Sequence, residues 1–146
     1  MFFSWRVSLQ SFQELLKDLA RIPRMLFVVG GGACVSEMYA DGKTAPKFNG
    51  HWAMMEAESW HFHLDLSLVK SAQFVEAEDH GAPVLYYVRL ADDKDETILR
   101  CYFPNPYLDE DDKRVAFQAE KLKVFEDIRS EHEGKGPITY VKRLKG

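Results

Sequence analysis

His61, His63 and Asp65 stand at alternate positions of the stretch WHFHLDL, from Trp60 to Leu66, and two imidazoles with a carboxylate are donor types that hold transition metals. In an extended strand, neighbouring side chains point to opposite faces, so these three share one face while Trp60, Phe62, Leu64 and Leu66 share the other. Successive same-face positions lie about 7 Å apart along a strand, so the three close on one ion only where the strand bends. His51 or Glu76 from a neighbouring strand would have to complete such a shell. The plainer reading is the wet side of a sheet.

The elements that must carry this row read as follows. Leu9, Phe12, Leu15, Leu16 and Leu19 recur at helical spacing behind Ser8, a candidate N-cap, which predicts an amphipathic helix from about Ser8 to Ala20, ahead of Pro23. Met25 to Val29 reads as a buried strand, Gly30 to Gly32 as a turn and Ala33 to Tyr39 as the returning strand. Further strands are expected at His51 to Met55, Trp60 to Leu66, Ser71 to Ala77, Val84 to Leu90 and Thr97 to Phe103, with Asp79-His80-Gly81 as a break. Such short connections favour antiparallel pairing. After Pro104 and Pro106, the acidic run Asp109 to Asp112 predicts the start of a long helix reaching about Glu131. The basic end PITYVKRLKG is expected to be an edge strand or a flexible tail over 135–146.

With 146 residues, 46% hydrophobic and 29% charged, the chain is expected to form a single domain, 1–146, of class α+β. A net charge of −4 speaks against a general nucleic-acid binder, which needs a cationic surface. The apolar run from Met25 is far too short to span a bilayer, so a cytosolic protein without a membrane anchor is expected. Cys34 and Cys101 both sit in apolar, strand-like surroundings and predict free thiols rather than a disulfide framework. The three glycines lack a following lysine at phosphate-loop spacing, Cys34 has no evident base, and no serine motif is present. Nothing here marks an enzyme.

The run FQELLKDLARIPRMLFVVGGGACVSE, then WHFHLDLSLVKSAQFVEA, then VLYYVRLADDKDETILRCYF resembles one repeat of the HemS/ChuX/HutX family of haem-utilisation proteins. The likeness spans roughly Phe12 to Phe103, carried by the helix before MLFVV, the strand ending in CVSE, the His63-Leu64 pair and AQFVEA. It implies curved antiparallel sheets flanked by an N-terminal and a C-terminal helix. It also implies a haem cleft beside the sheet, a place in cytosolic haem and iron utilisation, and a homodimer, since the single-repeat branch pairs. His63 is similar in placement to a candidate haem ligand of ChuX-like members, with Phe62 standing where those have glycine and Ser36 where HemS-like repeats often have histidine.

Haem asks for an axial donor, an apolar wall for the macrocycle, and cations for the propionates. His63 is the expected ligand and metal contact, with His61 and His51 as further candidates. Arg89, Arg100 or Lys70 would meet a propionate, and Asp65 would orient an imidazole. His80 and His132 are assigned no role. Two other readings compete: a non-catalytic interaction module that keeps the fold without the ligand site, and a small non-haem metal enzyme built on His61 and His63.

Overall fold

A computed structural model describes residues 4–78 and 83–144. Helix α1, Trp5–Ala20, is capped by Ser4, whose Oγ accepts from the Val7 N–H at 3.2 Å. Ser8 therefore lies inside the helix. The apolar periodicity sees only the buried face of Phe12, Leu15, Leu16 and Leu19, while the first turn, with Trp5 and Val7, is exposed.

Strands β1 (Leu26–Gly31) and β2 (Cys34–Tyr39) form the expected hairpin, with its turn at Gly32. Gly30 is required there: at φ 93° an added Cβ would stand 2.5 Å from the Cys34 carbonyl oxygen. Cys34 is exposed, contrary to its apolar reading, because the hairpin tip projects beyond the core; Cys101 is buried. The chain then builds β3 (Lys47–Asn49), β4 (Trp52–Glu56) and β5 (His61–Asp65), a three-stranded antiparallel sheet, followed by a 3-10 turn at Leu66–Leu68. The short β3 carries no apolar alternation long enough to announce itself.

Strands β6 (Ser71–Ala77), β7 (Leu85–Ala91) and β8 (Thr97–Tyr102) join the first hairpin. The expected break at Asp79-His80-Gly81 lies outside the described residues. Helix α2 spans Ala119–His132 and starts later than the acidic run predicts. Asp109 Oδ1 instead accepts from the N–H groups of Asp111 and Lys113, closing a turn between Leu108 and Arg114. From α2 the chain enters β9, Ile138–Arg143, which pairs parallel with β6 at the sheet edge. The six-stranded order is β2-β1-β8-β7-β6-β9, and all its other pairings are antiparallel.

One face of this large sheet carries Phe27, Cys101, Val88 and Phe74 in register, all fully buried. Helix α1 covers part of it with its leucines, and Phe125 of α2 seats against Phe74, Tyr86 and Phe103 at ring separations of 5.9, 5.1 and 5.1 Å. The small sheet packs there too, through Trp60 and Phe62 on Phe27 at 5.9 and 5.8 Å. Burying a side chain such as Leu64 contributes roughly 2 kcal/mol, which fixes which face of β5 turns inward. The architecture is α+β, as expected. Among the described residues, no helix is long and apolar enough to cross a membrane.

Candidate functional site

Because Phe62 and Leu64 face the core, His61, His63 and Asp65 face outward. Cross-strand register sets Met54 opposite His63 and Lys47 opposite Met54, so the outer face holds the row Lys47, Met54, His63. Beside it lie Trp52, opposite Asp65, and Glu56, opposite His61. A shallow cleft of about 410 Å³ opens on this face, lined by Lys47, Phe48, Asn49, Trp52, Met54 and His63.

The hydrogen bonds distinguish the three histidines. His51 is the second residue of the two-residue turn that follows Asn49, and Gly50 holds φ 59° at its first position. Its Nδ1–H donates to Asp65 Oδ1 at 2.7 Å. The same oxygen accepts from the Ser67 hydroxyl at 2.6 Å and the Ser67 N–H at 3.0 Å. Ser67 first, and His51 after it, hold the Asp65 carboxyl below its ordinary value against the opposing effect of burial. Asp65 therefore serves His51 and the turn, not His63. His63 is exposed and takes no hydrogen bond among the described residues; its ring meets the edge of His61 at 5.8 Å.

Arg89 and Arg100 are not brought to this face. They stand opposite one another on β7 and β8, and Arg100 is also opposite Val28, so both point to the side of the large sheet away from Phe27 and the small sheet. Arg89 is committed as well: its guanidinium donates to Thr97 Oγ1 at 2.7 Å, Gln73 Oε1 at 3.2 Å, Asp95 Oδ1 at 2.8 Å and the Asp95 carbonyl. Lys70 spans to the Ser67 carbonyl at 3.2 Å. The cation that does flank His63's row is Lys47, which pairs with Glu56 at 3.1 Å. Sequence reasoning missed Lys47 and Met54; the Asn49-Gly50 step, a strong hairpin signal, could have exposed β3 and with it both partners.

His132 is the other departure. It is 2% exposed, and its Nε2–H donates to Asp18 Oδ2 at 2.6 Å, joining α2 to α1, while its Nδ1 has no partner. No three histidine, cysteine, aspartate or glutamate side chains gather as metal ligands among the described residues. The strand spacing and the engagement of Asp65 account for that.

A protein-family model matches residues 13–128, most of the chain. The chain belongs to the ChuX/HemS-like family. No curated protein matches the sequence. Among solved structures, a protein from Agrobacterium tumefaciens is similar at TM-score 0.68 and 16% identity, covering 86% of this chain and 69% of that one. The heme-binding protein ChuX is similar at TM-score 0.67 and 8% identity, covering 85% of this chain and 74% of its own. PhuS, a heme-binding protein from Pseudomonas aeruginosa, is similar at TM-score 0.61 and 11% identity; this chain is covered over 92% and PhuS over 35%. At these identities the likeness is one of fold. The Phe62 ring ties the small sheet to Phe27.

Proposed function

We propose that this protein binds haem on the outer face of its small sheet, with His63 as axial ligand, and carries it as a homodimer in cytosolic iron utilisation. The observation that bears most weight is the state of His63: an exposed imidazole with no hydrogen bond, at the lip of a cleft that also offers Met54 and Trp52. A neutral imidazole of this kind has a lone pair to give, and the open face leaves room for a flat macrocycle. Trp52, 44% exposed, supplies apolar surface that a porphyrin would cover. Lys47 would hold a propionate in exchange for Glu56. The relatives ChuX and PhuS, both described as heme-binding, support the choice of ligand. Haem, when bound, supplies an iron centre to be transported; the chain supplies the donor, the apolar wall and the cation.

The shallow cleft covers one side of a macrocycle, which favours a second chain. Light scattering should give twice the chain mass, and a mass of one chain would remove the homodimer from this reading.

Hemin titration followed at the Soret band tests the site. Saturation near one haem per chain is expected for the wild type, with His63→Ala weakening binding about tenfold or more. Absence of a saturable shift, or an unchanged titration in His63→Ala, would remove the reading.

A further inference from the structure

A second cavity, of about 440 Å³, opens where β1 and β7 begin and β2 and β8 end, beneath the 104–112 loop and the first turns of α2. Its walls include Leu26, Tyr39, Leu85, Tyr86, Tyr102 and Phe103, a span of ring and aliphatic surface suited to a flat ligand. Two cations reach it. Lys121, half-buried near the N-terminus of α2, gives its ammonium a neutral acceptor, the Leu108 carbonyl at 2.8 Å. Arg24 lies 4.6 Å over the Tyr39 ring and donates to the Glu110 carbonyl at 3.3 Å.

The Arg24 backbone is itself unusual. It holds φ 66°, a left-handed conformation that costs a non-glycine residue energy, and its N–H is fixed to the Ala40 carbonyl at 3.0 Å. Among the described residues neither cation has a carboxylate partner. Three carboxylates share the rim, but Asp109 is occupied by the N–H groups of Asp111 and Lys113, and Glu110 and Asp112 are exposed to water. An ammonium drawn partly out of water against a carbonyl gains from an anion, because a charge-assisted contact is roughly twice as strong as a neutral one. The helix dipole at the start of α2 acts in the same direction.

We infer that this cavity is a second ligand site, separate from the His63 face, for a flat aromatic molecule carrying a single carboxylate. The ring lies against the tyrosines and Phe103, and the carboxylate takes Lys121 from the Leu108 carbonyl.

Three probes with the same rings and different charge test this on the full chain by isothermal titration: 2-naphthoate, 2-naphthylmethanol and 2-naphthylmethylammonium. Naphthoate should bind one to one and about tenfold more tightly than the alcohol, with the ammonium weakest. Lys121→Met, a substitution at a half-exposed helix position, should erase the naphthoate advantage while the alcohol still binds. His63→Ala should leave all three affinities unchanged, which keeps this site's fate apart from that of the haem face. No binding of any probe, equal binding of naphthoate and alcohol, tightest binding of the ammonium, or a naphthoate preference that survives Lys121→Met would each overturn the proposal.

Discussion

His63 and His132 show what surroundings make of one side chain. His132 sits in the last turn of α2, sealed from water and bonded to Asp18 of α1, and it is one of two buried residues in that helix, the other being Phe125. His63 stands on a strand that needs only its Phe62 and Leu64 side for the core, so its imidazole is left exposed and unbonded. The buried histidine is spent on holding two helices together. The open one is available to a ligand. A ligating imidazole needs a ring nitrogen that a ligand can reach, which the 2% exposed His132 lacks and the exposed His63 has.

The largest way to break this contrast is His132→Ala. It removes the buried partner of the Asp18 carboxylate, leaving it only the exposed Arg21, and empties one of the two buried positions of α2, so the loss of stability should be about 3 kcal/mol, read from the urea midpoint. His63→Ala should stay within about 0.5 kcal/mol of the wild type in the same experiment. Similar losses for the two would erase the distinction.

Arg89→Met comes next. Its guanidinium is 12% exposed and bonded to Thr97, Gln73 and Asp95, so removal should cost about 2 kcal/mol. Hemin affinity should not change, because the large sheet and core separate Arg89 from His63. A hemin defect in a folded Arg89→Met would place a propionate contact where the geometry denies one. His63→Ala reverses the pattern: a loss of about 1.4 kcal/mol in hemin binding, equal to tenfold, with stability kept.

The smallest effect sharpens the link between the two sheets. Asp41 follows β2 on the way to the small sheet and accepts from the Thr44 hydroxyl, the Thr44 N–H and the Lys43 N–H at 2.6, 2.8 and 2.7 Å. The Thr44 hydroxyl, followed by the two peptide groups, lowers its carboxyl to about 2 from 3.8. A carboxyl depressed on folding stabilises above its unfolded value and loses that contribution as pH falls through the folded one, here between about 4 and 2. Asp41→Asn should therefore be slightly less stable than the wild type at neutral pH, the gap closing by pH 2. A gap that is constant with pH would show that the charged form is not what holds the turn.

Much of this was legible in the sequence for a definite reason. The alternation of WHFHLDL fixes the outward direction of His63 because strand period is rigid, and the leucines of α1 announce its buried face equally well. Elements defined by competition were not legible. The acidic run at Asp109 to Asp112 suits a helix N-terminus, yet the Asp109 side chain captured its own backbone first. Strand β3 is three residues long and carries no strong period, whereas the β9 segment could be read as an edge strand or a tail and is the edge strand. The separation of Arg89 from His63 depends on which sheet packs on which face, a property of the whole chain rather than of any window. His132 was passed over because a lone histidine near a helix end gives no sign of Asp18, far away in sequence.

The most direct test of His63 as the haem ligand is chemical rescue. In His63→Gly titrated with hemin, the Soret band of the wild-type complex should be lost and then restored by added imidazole, which supplies the missing donor to the emptied position, while the wild-type spectrum is unmoved by the same imidazole. A His63→Gly protein that keeps the wild-type Soret band without imidazole would contradict the assignment.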